Sequence, residues 1–165
     1  TVSTKLPLET CQTMNGMWGY KVADQNYKST EYLVRYLVSI ACKGANLLLN
    51  IGPQPNGELP ATALERLKEM GEWLRKDGDS VYGTTAGDIQ AQEWGVTTRK
   101  GERLFVHIFD LKSKELHLPL SCKVEKAYTF EGKQPVAFTA TNGGVTLKFD
   151  TVPSGTDYIV ELITK

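Results

Sequence analysis

One short apolar run limits what this chain can fold into. It covers residues 46–51, follows Gly44-Ala45 and ends at Gly52-Pro53. The run is too short for a helix and has no apolar–polar alternation, so we expect a strand that is buried on both faces, as in a parallel sheet. Residues 52–57 contain two prolines and two glycines and predict an irregular loop.

The flanking segments repeat a strand–helix order. Residues 6–10 predict a short strand that leads into a polar, irregular segment over 11–28. Ser29 suits the N-cap of a helix over about 30–43, which Gly44 would end in a left-handed conformation. Pro60 suits the first turn of a second helix, which would end near Gly78. Residues 6–78 therefore indicate strand, helix, strand, helix.

The pattern changes near residue 88. Short strands follow one another, and Asn142-Gly143-Gly144 is typical of a hairpin turn. Apolar residues alternate at period two in two of these strands, at Leu104, Val106 and Ile108 and at Val145, Leu147 and Phe149. Closely spaced strands with glycine-rich turns indicate a small antiparallel β-sandwich. We therefore predict two domains, over residues 1–87 and 88–165. The strands are expected near 88–99, 102–109, 114–118, 123–130, 135–140, 144–149 and 157–163.

Charge and composition exclude several classes of function. Lys plus Arg and Asp plus Glu both total 19, and no stretch is strongly basic, so a nucleic-acid partner is not expected. No apolar run approaches the ~18 residues of a membrane span. The first five residues lack the apolar core of a signal peptide. The spacings of Cys11, Cys42 and Cys122 match no zinc or redox motif, so no metal site is predicted.

Two strand–helix units cannot form a closed parallel sheet. A strand that is apolar on both faces needs neighbours on both edges, and a complete eightfold β/α barrel takes ~250 residues. Either the rest of a barrel lies outside this chain, which we favour, or the sandwich supplies the missing contacts.

Several blocks of the sequence occur in the order found in one enzyme family. They include Leu8-Glu9-Thr10-Cys11, Trp18-Gly19-Tyr20 and residues 43–53, 57–60 and 66–84. In this order they resemble the C-terminal part of the catalytic domain of glycoside hydrolase family 29, the retaining α-L-fucosidases. Many relatives have Trp in place of Leu8, and most have Gly in place of Ala45.

The resemblance implies a fold and a reaction. The fold would be the last strand–helix units of a (β/α)8-like barrel, followed by a small antiparallel β-sandwich. The reaction would be hydrolysis of terminal α-L-fucose from fucosylated oligosaccharides through a covalent fucosyl-enzyme, without metal or organic cofactor. The family's Asp nucleophile lies upstream of this chain, so the chain alone is expected to be inactive and to need the N-terminal remainder of the barrel. The family implies an extracytoplasmic location: periplasmic, secreted or lysosomal.

Glu9 is the carboxylate that we select as general acid/base. It follows an apolar strand, at the end where barrel enzymes keep catalytic groups, and partial burial would suit a general acid. One alternative is that Glu9 anchors the loop; another is that the acid/base is a carboxylate from an upstream loop, as in some members of the family. The residues alone do not decide whether Glu9 is the acid/base, a loop anchor or neither, so these three interpretations remain open.

Trp18 matches a family position that packs against the C5 methyl of fucose, and an indole face suits that apolar edge. The alternative is a core tryptophan that covers the barrel mouth. We interpret Asn50 as a backbone organiser at the end of its strand, and His107 and His117 as structural. A rival interpretation of the whole chain is a non-catalytic carbohydrate-binding or scaffolding module, since the chain contains no nucleophile.

Overall fold

The computed structural model describes residues 6–165; the five residues in which we saw no signal-peptide core lie outside that range. The first half contains two parallel strands, each followed by a helix. Their bounds are β1 Leu8–Thr13, α1 Thr30–Ala41, β2 Ala45–Asn50 and α2 Ala61–Asp77, with a single 3-10 turn at Gly78–Ser80.

Local chemistry sets the ends of α1 as the sequence predicts. The Ser29 hydroxyl accepts a 3.1 Å hydrogen bond from the backbone N–H of Tyr32, which satisfies one of the free donors of the first turn. Gly44 follows the helix at φ +67°, a conformation that glycine adopts without strain. The apolar side of the helix, including Leu33, Val34 and Val38, is fully buried.

The first strand differs from its prediction. We expected it over residues 6–10, but β1 runs from Leu8 to Thr13 and pairs in register with all of β2. Polar Gln12 and Thr13 suggested a loop. Pairing with β2 overrides that local polarity, and β-branched threonines favour extended backbone.

The second half consists of two antiparallel sheets. A five-stranded sheet has the order β3-β4-β5-β10-β7, and a three-stranded sheet has the order β6-β9-β8. The bounds are β3 Thr85–Ala86, β4 Gly95–Lys100, β5 Arg103–Ile108, β6 Glu115–Leu118, β7 Val124–Thr129, β8 Ala137–Thr141, β9 Gly144–Lys148 and β10 Tyr158–Thr164.

The strand expected over 88–99 is wrong in its first half. β4 begins only at Gly95, where φ is +149° and a Cβ atom would lie 1.9 Å from the carbonyl oxygen of His107. The chain before it turns through a pair of hydrogen bonds between Gln92 and Gly95. The left-handed backbone at Gly95 therefore interrupts what looked like one strand.

The two sheets enclose one apolar core. Leu104, Val106 and Ile108 alternate along β5 and are buried, as are Val145 and Leu147 on β9. The predicted period-two pattern is confirmed at both strands. The predicted hairpin joins β8 to β9, with Gly143 at φ +114°.

A second core lies between the helices and the five-stranded sheet. It contains Leu33 and Val34 of α1, Met70 of α2 and Val96 of β4, with Phe109 packed against it. The proposed division at residue 87/88 stays a prediction. No helix within residues 6–165 is both long and apolar enough to cross a membrane.

Candidate functional site

The loop between β1 and α1 lies over the carboxyl end of β2. The side-chain amide of Asn50, the last residue of β2, donates a 2.7 Å hydrogen bond to the carbonyl of Trp18. The backbone N–H of Met14 donates to the carbonyl of Asn50 at 3.1 Å. Asn50 therefore organises the neighbouring backbone, as the sequence predicts.

Glycine at position 52 lets this loop come close. A Cβ atom on Gly52 would lie 2.6 Å from the carbonyl carbon of Gly19 and 2.6 Å from the nitrogen of Tyr20. These are backbone atoms, so they cannot move aside as a flexible side chain would. The sequence predicted only an irregular loop over residues 52–57, and nothing in it indicated this contact.

The rest of the loop is held by charged side chains. Lys28 donates to the carbonyls of Thr13 at 2.7 Å and Asn15 at 3.0 Å. The carboxylate of Asp24 accepts from the backbone N–H of Gly16 at 2.9 Å. The loop backbone is thereby fixed from both of its ends.

Trp18 is exposed on this braced loop. Its side chain is 57% exposed, although tryptophan is among the residues with most apolar area to bury. A large indole on a fixed backbone, open to solvent, can pack against a ligand without much loss of conformational entropy. Within residues 6–165 Trp18 belongs to neither apolar core, and both interpretations, a substrate contact and a tryptophan that covers the barrel mouth, stay predictions.

Glu9 does not lie at this end of the sheet. It is the second residue of β1 and pairs with Asn46 near the start of β2, four residues before the last residue of β1. At ~3.3 Å per residue, Glu9 is therefore about 13 Å from the end where the Trp18 loop begins. Our premise that Glu9 follows its strand was wrong, because β1 starts later and ends later than predicted.

Glu9 is exposed, and within residues 6–165 its side chain makes no hydrogen bond or ion pair. The interpretation as a loop anchor therefore finds no partner in the part of the chain that the structure describes. The burial that we expected for a general acid is also absent there.

One face of the strand pair is uncovered. Glu9 and Cys11 of β1 and Asn46 and Leu48 of β2 share that face and are exposed, Leu48 by 44%. The other face turns toward the helices, where Leu49 packs into their core. Among the described residues, β1 and β2 have only each other as neighbours.

His107 lies far from this face, within the sheets. Its Nε2 is 3.0 Å from the hydroxyl of Thr98, and its Nδ1 is 2.7 Å from the carboxylate of Asp157. This order of groups resembles a nucleophilic triad, but Thr98 is fully buried and donates to the carbonyl of Ser80 at 2.6 Å. The cluster is therefore structural. Residues 6–165 contain no group of three His, Cys, Asp or Glu side chains arranged to hold a metal.

Comparisons with known proteins find α-L-fucosidases along most of the chain. The family model for α-L-fucosidase matches residues 1–79. Plasma α-L-fucosidase of Homo sapiens is 34% identical over 108 residues, which are 61% of this chain and 23% of that protein. An α-L-fucosidase of Branchiostoma floridae is 30% identical over 158 residues, which are 88% of this chain and 35% of that protein.

Solved structures extend the match to the sandwich. α-L-Fucosidase isoenzyme 1 from Paenibacillus thiaminolyticus has a TM-score of 0.89 at 34% identity, over 97% of this chain and 40% of that one. The α-fucosidase of Thermotoga maritima, in complex with fucose, has a TM-score of 0.81 at 28% identity, over 94% of this chain and 39% of that one. The chain thus spans about a quarter to two fifths of the relatives that it matches.

Two β/α units followed by two antiparallel sheets are matched over nearly the whole chain by solved glycoside hydrolases, the α-L-fucosidases. The chain belongs to the α-L-fucosidase family, glycoside hydrolase family 29.

Proposed function

We propose that this chain is the C-terminal portion of a retaining α-L-fucosidase that removes terminal α-L-fucose from glycans. The observation that carries the proposal is the β1–β2 pair, uncovered on one face, with the braced Trp18 loop at its carboxyl end. In β/α barrels, catalytic groups collect at that end. The identity of the proposed substrate sugar, fucose, comes from the names of the relatives.

The partner of this chain is the N-terminal remainder of a (β/α)8-like barrel. Exposed Leu48 supports this on the sheet, and exposed Leu64 and Leu67 support it on α2. Helical spacing puts those two leucines on the flank opposite Arg66 and Glu69, which reach toward the start of α1. A further barrel helix and further strands would cover these apolar side chains.

The proposed reaction uses two carboxyl groups ~5–5.5 Å apart. An Asp upstream of this chain attacks the anomeric carbon, and the bond to the leaving oxygen breaks as an acid protonates that oxygen. The same acid, now a base, takes a proton from water, which attacks the fucosyl-enzyme and releases fucose and the Asp. Neither step requires a metal or an organic cofactor.

Trp18 is proposed to bind the substrate. Fucose has an apolar edge at its C5 methyl, and the exposed indole offers an apolar face at the carboxyl end of the strands. The hydrogen bond from Asn50 to the Trp18 carbonyl would hold the backbone that carries this indole in place.

Glu9 is the candidate acid/base within this chain, and a carboxylate upstream of residue 1 is its rival. Exposure on the uncovered face leaves Glu9 accessible to the missing barrel. Its position at the amino end of β1, beside Asn46, supports the rival instead.

The activity is tested with the intact protein that contains this chain and a chromogenic α-L-fucoside. We expect fucose release that falls at least about tenfold in kcat/KM for Trp18→Ala, while Trp94→Ala, on the sandwich, has little effect. If the intact protein releases no fucose from any linkage, the chain is a carbohydrate-binding module, and sugar affinity without turnover would establish that alternative.

The role of Glu9 is tested by Glu9→Ala in the same assay with added azide. If Glu9 is the acid/base, turnover falls by ~10²–10⁴-fold and azide restores it. Azide replaces water on the fucosyl-enzyme, so the product is the α-fucosyl azide, with retained configuration. Near-normal turnover would assign the acid to the upstream rival.

An extracytoplasmic location is also proposed, in keeping with the plasma enzyme among the relatives.

A further inference from the structure

The outward side of α1 carries a second aromatic surface. A groove of about 350 Å³ lies between this helix and Phe109, which follows β5. Helical spacing puts Tyr32 on the side away from the buried Val34, so the surface faces solvent. We call it the α1 groove and define it by its principal lining residues: Glu31, Tyr32, Arg35, Tyr36 and Phe109.

Two tyrosine rings in the α1 groove form one flat stack. The centroids of Tyr32 and Tyr36 are 5.9 Å apart, and their planes differ by 9°. Tyr32 is 45% exposed. The stack holds both rings in place, so a ligand that packs on Tyr32 need not order the ring itself.

An ion pair borders the stack, and its arginine is held by backbone carbonyls. The guanidinium of Arg35 donates to the carbonyl of Thr156 at 2.7 Å and to the carbonyls of Phe109 and Gly155 at 2.9 Å each. It also pairs with Glu31 at 2.7 Å and lies 5.5 Å from the centre of the Phe109 ring. The formal charges of the groove therefore cancel.

We propose that the α1 groove binds a neutral pyranose residue of a glycan, at a position separate from the fucose at Trp18. The apolar C–H face of a pyranose ring packs on a phenol face, and its equatorial hydroxyls can donate to the Glu31 carboxylate. Zero net charge in the lining disfavours an ionic ligand. A volume of about 350 Å³ lies at the lower end of small-molecule sites and suits one sugar residue.

The direction of the strands relates the groove to the proposed function. In a parallel β/α unit, the helix begins on the side where the preceding strand ends, so Tyr32 in the first turn of α1 lies toward the end of the sheet that carries the Trp18 loop. This inference rests on the proposed function: the groove would hold a part of the glycan other than its terminal fucose.

The test measures binding of N-acetyllactosamine tetrasaccharide, which is neutral and carries no fucose, to the intact protein by calorimetry. We expect Tyr32→Ala with Tyr36→Ala to weaken binding about five- to tenfold. Tyr32→Phe keeps the ring and should bind normally. Tyr82→Ala removes a tyrosine that is more exposed than Tyr32, at 60%, and lies outside the groove, so it should leave affinity unchanged.

Three results would overturn the proposal. The first is no binding of the tetrasaccharide by the wild-type protein, and the second is an equal loss in the Tyr82→Ala control. A change of sedimentation for the double alanine variant would assign the groove to a contact between copies instead, against the proposal. Hydrolysis of the small fucoside should be unaffected by Tyr32→Ala, so an inactive protein that still binds the tetrasaccharide defeats the fucosidase proposal and leaves the groove standing.

Discussion

The imidazole of His107 and the carboxylate of Asp157 lie 2.7 Å apart, with both side chains fully inaccessible to solvent. Because the Thr98 hydroxyl donates its only hydrogen to Ser80, the His107 Nε2 must donate to Thr98. The contact at Nδ1 then needs one further proton, on the ring or on Asp157. This chain of bonds joins β4, β5, the turn after α2 and the segment before β10.

The first prediction concerns this buried pair. His107→Leu should lower the free energy of unfolding of the intact protein by about 3–5 kcal/mol, because it leaves Asp157 buried without its partner. His107→Leu combined with Asp157→Leu should cost less than the sum of the two single changes. Denaturant unfolding of the four proteins measures the coupling.

His117→Leu is the control for that prediction. His117 is exposed, and its only described side-chain contact is 3.2 Å from the Thr146 hydroxyl, so its loss should be almost neutral. Additive effects of His107→Leu and Asp157→Leu would contradict a coupled pair.

The second prediction is a pH dependence at the end of α2. Burial, with help from Glu131 and Asp157, raises the pKa of Asp77 to about 6, from 3.8. The folded protein therefore holds this proton more tightly than the unfolded chain, and stability falls as pH rises between about 4 and 6. Asp77→Asn should remove that fall and raise the free energy of unfolding at pH 7 by about 1–3 kcal/mol.

Asp79 should respond with the opposite sign. Hydrogen bonds from Lys100 and then Arg103, both at 2.7 Å, lower the pKa of Asp79. The ionised Asp79 carboxylate therefore adds to the free energy of unfolding above the pKa of the unfolded chain, and this contribution is lost as pH falls. Asp79→Asn should therefore destabilise the protein at pH 7. Thermal melts from pH 4 to 8 compare the two variants, and equal slopes would contradict the assignment.

The third prediction concerns the close contact under the Trp18 loop. Gly52→Ala places a methyl group against the backbone of Gly19 and Tyr20 and should displace the loop. We expect a shift of tryptophan fluorescence and, if the intact protein is a fucosidase, a higher KM. A Cβ on Gly19 itself meets no atom within 4 Å among the described residues, so Gly19→Ala is the matched control. Equal effects of the two changes would show that the close contact is unimportant.

The fourth prediction separates a partial barrel from a complete domain. Leu48→Lys should reduce association of the 165-residue chain, because it puts a charge on an exposed apolar face. In the intact protein the same change should lower the free energy of unfolding, because the upstream barrel would bury the charge. Val152→Lys, at an exposed position after β9, should be tolerated in both. Light scattering and thermal melts measure the two effects, and tolerance of Leu48→Lys in both forms would argue that nothing covers this face.

Sequence patterns predicted the elements whose cause is local. The Ser29 cap, the Gly44 stop and the alternation along β5 depend on neighbours a few residues away, and all three were correct. The position of Glu9 depends on which residues of β1 pair with β2, and that register is a long-range property. A shift of a few residues moved Glu9 from one end of the sheet to the other.

The candidate site was predictable to the same extent. Asn50 was identified because it ends an apolar run, whereas its hydrogen bond to Trp18 spans 32 residues. Nothing in the sequence indicated a role for Arg35, since a polar residue on the outer side of a helix usually faces water. Its partners near Phe109 and Thr156 follow only from how the sandwich packs on α1.

The shared core between α1, α2 and β4 has a consequence for how such a protein can be shortened or recombined. Val96 and Phe109 fill space among the helices, and Arg35 is tied to carbonyls 120 residues later. Removing the sandwich would open the helix layer to water, so an inherited or engineered exchange of the sandwich alone would have to bring a matching set of helix contacts with it.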